Sequence, residues 1–318
     1  MGAAIKDYIS TGSHKRKSHR NRNNTIQLWL MCAVPMILVF IFCYLPMFGL
    51  VIAFKDYRFD LGILGSKWIG LDNFKFFIGS NDFYRVTRNT LGLNAIFIFT
   101  GLAAQVIVAL MLFEIKQRTA VKTYQTILIM PSYLSWVVVG YMAYAFLNPN
   151  VGYINSLLKS IGLEPIDWYS NAGYWPYVLA IFNLWKGVGL GSVQYYACLM
   201  SINTEYFEAA ALDGASKFKI IWYIVLPHLR TLMIILTTLN IGGIFRCDFG
   251  MFYQLTRDVG ALYSTTDVID TYIFRVMRSV GDMSLSTAVG FLQSVVGFVM
   301  IVGTNLIVRK IDPDSALF

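Results

Sequence analysis

The sequence predicts an all-α membrane protein with six transmembrane helices, on three observations. Of 318 residues, 56% are hydrophobic and only 14% charged, whereas a soluble domain carries roughly 25% charged residues to keep its surface wet. The mean hydropathy is +0.56. The charge is missing from whole blocks rather than thinned evenly, and six of these blocks run over 26–54, 90–113, 125–147, 176–202, 229–253 and 287–308. Each can cross a hydrocarbon core of about 30 Å, which takes about 20 helical residues. Inside lipid every backbone amide needs a partner within its own segment, so the runs are helices and not strands.

Taken in order, residues 1–25 are polar and basic, rich in Ser, Asn and Arg. They cannot bury a core and read as a cytoplasmic tail. The run 26–54 follows Lys15, Arg16, Lys17, Arg20 and Arg22, as a signal peptide would. It is too long for a signal h-region and has no small-residue cleavage site, so it reads as an uncleaved first helix. A loop at 55–89 leads to a five-helix core over 90–308, and residues 309–318 close the chain. With both termini inside, the cytoplasmic segments hold 13 Lys/Arg in 72 residues and the outer ones 10 in 96. The denser positive side is the cytoplasmic one, which puts both termini there. Trp68, Trp168 and Trp175 fall near the outer ends of the helices, where an interfacial aromatic belt is expected.

The net charge of +8 follows this orientation pattern and comes with no nucleic-acid motif, so nucleic acid is not an expected partner. Cys32, Cys43, Cys198 and Cys247 lie in apolar runs without metal-ligand spacing, and read as small packing residues. His14, His19 and His228 have no nucleophile or carboxylate at motif spacing, so neither a metal site nor an enzyme is expected.

One cytoplasmic loop is richer than a connection requires. It runs from Asn203 to Pro227. Asn203 or Thr204 can cap a short helix with Glu205 in its first turn. Residues Phe207 to Leu212 are good helix formers, and Gly214 allows a stop at positive φ. Phe218, Ile221, Trp222 and Val225 then share a face at helical spacing, and Pro227 sits where a new membrane helix can begin. This pattern predicts a helix, a sharp turn and an amphipathic helix at the interface, together a rigid protruding knob.

Within this loop Glu208-Ala209-Ala210, then Gly214, Ile224 and Leu226-Pro227, resemble the EAA loop of binding-protein-dependent ABC importer permeases, with every spacing intact. The resemblance implies the type I permease core with a cytoplasmic coupling helix. It also implies that the loop docks in a cleft of an ATPase subunit, which Glu208 contacts. The stretches Trp68–Phe74, Gly243–Gly250 and Asp312–Phe318 are similar to the maltose-type, carbohydrate-importing branch, and the second to a subgroup importing oligosaccharides, including uronate-containing ones. The implied partners are a sister permease, a dimer of ATPase subunits and an extracytoplasmic solute-binding protein, all at a bacterial cytoplasmic membrane. The chain has no phosphate-binding loop of its own. It therefore needs no cofactor, and ATP and Mg²⁺ belong to the partner ATPase.

In that family, sugar contacts come from the middle of the helices flanking the coupling loop. Lys186, Gly187, Asn240 and Arg246 fall in those places, with Trp185 and Asp248 beside them. Lys186 either faces a partner or a wet cavity, or snorkels to the outer interface; a charge at such depth costs roughly 2.5–3.5 kcal/mol. Arg246 and Asp248, two residues apart, cannot stack on one helix face and either pair across helices or line the pathway. Asn240 also suits a helix–helix hydrogen bond. Cations beside an aromatic face would suit a polar, acidic sugar, though amino-acid or peptide solutes stay open. Two rival functions remain. An ion-coupled secondary transporter predicts inverted repeats and helices broken mid-membrane. A scaffold or lipid-modifying enzyme predicts a soluble domain or a catalytic constellation.

Overall fold

The computed structural model describes Thr25, residues 27–313 and Ala316. The basic tail predicted at 1–25 lies outside the described residues except for Thr25, as do parts of the 312–318 stretch. The helices that build the bundle are α1 (Gln27–Phe54), α2 (Asp72–Ile78), α3 (Asn81–Phe113), α4 (Arg118–Tyr133), α5 (Trp136–Leu147), α6 (Tyr153–Ser160), α7 (Trp175–Leu199), α8 (Thr204–Leu212), α9 (Lys217–Gly242), α10 (Phe249–Thr256), α11 (Ile269–Arg275) and α12 (Met283–Ile311). Among the described residues α1, α3, α9 and α12 are each long and apolar enough to cross a membrane, and α4 with α5 makes a fifth, bent span. α7, over the predicted fourth span, is 25 residues long and less apolar, with Lys186 near its middle.

Three of the predicted spans need correction. α3 begins at Asn81 and not at 90. Ser80 caps it by accepting from the Phe83 amide at 3.2 Å, and 33 residues make a rod of about 50 Å that overshoots the bilayer. The span predicted at 125–147 is bent by 94° between α4 and α5. Pro131 turns the end of α4 into 3-10 winding, and Ser135 caps the new helix α5. The span predicted at 229–253 starts at Lys217 and stops at Gly242, with α10 a separate helix beyond an unwound stretch.

Proline placement explains other irregular windings. Ahead of Pro46 and Pro227 the helix widens into a π turn, at Phe40–Tyr44 and Ile221–Val225. Pro lacks an N–H and crowds the carbonyl four residues back; a wider turn relieves both without ending the helix. Pro227 therefore does not start a membrane helix, and α9 is one continuous rod from the coupling loop inward.

The stretch Trp68–Phe74 closes the C-terminal end of α1. β1 (Lys55–Asp56) pairs antiparallel with β2 (Lys67–Trp68), and Trp68 stacks on Phe54 with centroids 5.7 Å apart. The amides of Ile69 and Gly70 donate to the Phe54 carbonyl at 2.9 and 3.1 Å, and Asn73 Nδ2 donates to the carbonyls of Ala53 (2.9 Å) and Lys55 (3.1 Å). These are carbonyls that a helix end leaves without partners.

Near the start of α3, the buried carboxylate of Asp267 accepts from Arg85 (2.9 Å), Arg275 (2.6 Å) and Thr271 (3.1 Å). Arg275 lies 4.2 Å over the Tyr263 ring, whose phenol donates to Asp258 at 2.9 Å. Burial first, and that hydrogen bond second, push the Tyr263 phenol above its ordinary range.

Within the bundle two of the apolar cores lie at opposite ends. One, with Leu93, Val139, Leu179 and Phe252, sits among α3, α5, α7 and α10. The other, with Val106, Tyr195, Leu199 and Leu229, faces the coupling loop. Small residues let the rods approach: a Cβ added to Gly189 would lie 1.9 Å from the Leu128 carbonyl oxygen, whereas one on Gly187 meets nothing within 4 Å. Gly189→Ala is expected to cost at least about 1–3 kcal/mol by overpacking, lowering the thermal midpoint of the purified complex, while Gly187→Ala leaves it unchanged. Equal midpoints for the two variants would refute the close α4–α7 contact.

Candidate functional site

The predicted coupling residues form one exposed element. Asn203 Oδ1 accepts from the Glu205 amide at 3.1 Å and starts α8. Gly214 takes φ +67°, and the Ala215 amide returns to the Ala210 carbonyl at 2.9 Å to close the helix end. Glu208 and Ala209 are exposed and Ala210 is half-buried. Phe207 anchors α8 to the bundle against Phe113, centroids 5.6 Å apart, and Lys217 pairs with Glu114 at the end of α3. Leu226 and Ile224 are half-buried and Pro227 exposed, within α9. The predicted apolar face at 218–225 is divided. Ile221 is half-buried and Val225 buried, both lining a recess with Phe113 and Phe207. Phe218 and Trp222 stack on each other in the open, centroids 6.1 Å apart.

The second cluster lies at the two helix breaks. Beyond Gly242 the chain unwinds, and side chains from three other helices take up its backbone groups. Asn94 of α3 donates to the carbonyls of Ile244 (2.7 Å) and Arg246 (3.1 Å). Gln293 of α12 donates to Phe245 O at 2.5 Å, and Asp270 of α11 accepts from the Cys247 amide at 2.8 Å and from Gln293 at 3.1 Å. Asp248 then caps α10, accepting from the Met251 amide at 3.2 Å. Arg246 and Asp248 are thus not within a helix, as the sequence had placed them. Nor do they form an ion pair among the described residues: Arg246 donates to Ser294 Oγ at 3.2 Å.

Lys186 marks the other break. Its Nζ donates to Ser132 O at 2.9 Å, Ser132 Oγ donates back to Lys186 O at 2.6 Å, and the ammonium sits 5.0 Å from the Trp136 ring centroid. The cation therefore faces a carbonyl freed by the α4–α5 bend and does not snorkel outward. Trp136 Nε1 donates to Asp248 Oδ2 at 2.5 Å, so one side-chain contact joins the two breaks.

Between the two apolar cores lies a cavity of about 350 Å³. Of the six predicted pathway residues, Gly187, Asn240, Arg246 and Asp248 line it, while Trp185 and Lys186 do not. Asn94, Gln105 and Asn183 complete its polar lining. Sequence reading missed them, although each is an isolated amide in an apolar block. An uncharged amide ring with one cation and one carboxylate offers both donors and acceptors at a point where the backbone is already open.

Comparison with known proteins places this arrangement. Residues 26–313 match the family described as binding-protein-dependent transport system inner membrane component. The chain belongs to this family. It is therefore the membrane permease subunit of an ABC importer, working with an external binding protein, and is not itself an enzyme. Protein LplB of Bacillus subtilis (strain 168) is 37% identical over 90% of each chain. The polygalacturonan/rhamnogalacturonan transport system permease protein YteP of the same organism is 31% identical over 91% of this chain and 89% of its own. A solved bacterial ABC transporter involved in the import of the acidic polysaccharide alginate matches with TM-score 0.83 and 30% identity over 93% of this permease and 99% of that chain. A second structure of an alginate transporter, in complex with an alginate pentasaccharide-bound periplasmic protein, matches with TM-score 0.82 and 30% identity over 92% and 97%. The broken helices that an ion-coupled carrier predicts are present, but in this family they belong to an ATP-driven permease.

Asn94→Leu is expected to strand the carbonyls of Ile244 and Arg246 at about 1–3 kcal/mol each and to lower the thermal midpoint of the purified complex by several degrees. Asn240→Leu, which alters a cavity wall without a side-chain hydrogen bond to lose among the described residues, leaves the midpoint in place. If the two variants melt together, Asn94 does not hold the break.

Proposed function

We propose that this permease pairs with a sister permease to form the pathway for an acidic oligosaccharide, and that a pair of ATPase subunits drives it through α8. The observation that carries the reading is the polar cavity at the unwound end of α9, with Arg246 in its wall. A guanidinium suits a carboxylate, and the amides of Asn94, Gln105, Asn183 and Asn240 suit sugar hydroxyls. The acidic polysaccharides in the descriptions of YteP and of the alginate transporters support the same solute class.

Glu208 is exposed on α8 and has no partner among the described residues, as a residue reserved for another subunit should be. ATP and Mg²⁺ would be held by that subunit. Both termini, α8 and the start of α9 would face the cytoplasm, and the Asp267 cluster the outside, in keeping with the Lys/Arg distribution. α9 would carry ATPase closure to the break as a rigid body and so alternate access to the cavity.

Two measurements test this. Glu208→Lys reverses a charge at the proposed dock; the complex is expected to insert and fold while transport falls at least about tenfold, 1.4 kcal/mol or more of coupling. Normal ATP hydrolysis in response to loaded binding protein would remove Glu208 from the dock. Arg246→Met is expected to keep assembly and basal ATPase activity while uptake of an oligogalacturonate falls about tenfold relative to a neutral oligosaccharide. Equal loss for both sugars, or none, would take Arg246 out of solute recognition.

A further inference from the structure

A second recess lies between α5 and α10, of about 200 Å³, lined by Val137, Gly140, Tyr141, Tyr253, Gln254 and Arg257. Its floor is set by Gly140, where a Cβ would lie 2.8 Å from the Gln254 carbonyl oxygen, so the two helices touch there. Its depth follows from aromatic contacts. Tyr144 packs on Tyr169 (5.6 Å) and Tyr169 on Trp175 (5.2 Å), the first residue of α7. Lys186 is eleven residues, about 16 Å, further along α7, and it touches Trp136. α5 thus runs from Trp136, bonded to the cavity-lining Asp248, to Tyr144 at the end of the bundle away from the coupling loop, and the recess lies in between.

Arg257 stands at that far end. Its guanidinium lies 4.0 Å over the Tyr144 ring, and it has no carboxylate partner among the described residues. It ends α10 with φ 56°, and Asp258 follows with φ 53°. Such left-handed residues are strained and cluster at functional sites. A glycine would take the turn without strain, but only the arginine brings a planar fork, held against an aromatic face, to the rim of the recess.

We propose that this recess is a second saccharide subsite, nearer the outer mouth, that holds a uronate unit of an acidic oligosaccharide ahead of the central cavity. Tyr141 is exposed and offers a ring face for pyranose C–H groups, Gln254 offers an amide for hydroxyls, and Arg257 pairs with the carboxylate. Asp248 at one end of α10 lines the cavity and Arg257 follows its other end. Eight residues of helix make about 12 Å, a span that one short sugar chain can bridge. The inference rests on the acidic-saccharide reading of the cavity.

The test uses the whole importer in proteoliposomes with saturating loaded binding protein, comparing oligogalacturonate with a neutral oligosaccharide of equal length. Arg257→Gln and Tyr141→Ala are expected to cut oligogalacturonate uptake about tenfold while binding-protein-stimulated ATP hydrolysis is unchanged. Arg257→Gly, which relieves the left-handed strain and so protects the fold, is expected to show the same loss. Neutral uptake should drop with Tyr141→Ala and not with the Arg257 variants. Unchanged oligogalacturonate uptake in all three variants, with the wild type active, overturns the subsite alone. A wild type that carries only the neutral sugar overturns the acidic reading of the cavity and this subsite with it.

Discussion

A membrane offers no water to a broken helix, and the rest of this structure follows from how two such breaks are satisfied. Every N–H and C=O freed in lipid needs a partner, each unmet group costing several kcal/mol. Where the backbone unwinds at 243–248, Asn94, Gln293 and Asp270 reach in from α3, α12 and α11 to bond Ile244, Phe245, Arg246 and Cys247. The stretch is irregular in conformation yet fixed in place by three helices. At the second break Lys186 takes the Ser132 carbonyl, so a charge that is costly at that depth supplies a strong donor where one is needed.

That constraint decides where a polar pathway can be. Both breaks lie between the two apolar cores, and one of the polar groups they require, Asn94, also lines the intervening cavity. The Trp136–Asp248 bond makes the breaks interdependent, since rotating α5 against α10 must strain or break it. α9 reaches from the coupling loop to one break without interruption, and the π turn at Ile221–Val225 lets it pass Pro227 unbroken. On the proposed coupling, a displacement at the start of α9 would reach the cavity wall along one rod.

Much of this was legible in the sequence, though unevenly. The apolar blocks and the coupling loop were, because hydrophobic length and capping chemistry are local: Asn203, Gly214 and the spacing of the loop act through residues next to them. The breaks were not. Gly242-Gly243 and Ser135 are visible stop and start signals, but they sit inside runs whose hydropathy argues for uninterrupted helices. What ends α9 there is Asn94 and Gln293, roughly 150 residues before it and 50 residues after it. Lys186 was recognised as needing a partner, but the Ser132 carbonyl is freed by a 94° bend that composition does not announce. The extra nine residues of α3 were hidden by the charges of Asp82, Arg85 and Arg88, which mark the part of the helix that stands in water.

Those same charges bear on how the end of α3 away from the coupling loop is held. Asp267 is fully buried between two arginines, and removing one partner of a buried pair costs roughly 3–5 kcal/mol. Asn89 adds bonds to the carbonyls of Tyr263, Ser264 and Asp267. The N-terminal end of α3, the 258–267 connection and α11 are thereby tied into one block. α11 carries Asp270, which clamps the break from that block, three residues beyond the buried carboxylate. The break is thus anchored on one side to this block and on the other to the rod leading from the coupling loop. On the proposed mechanism, a pathway built between them would change shape as the rod moves against the block.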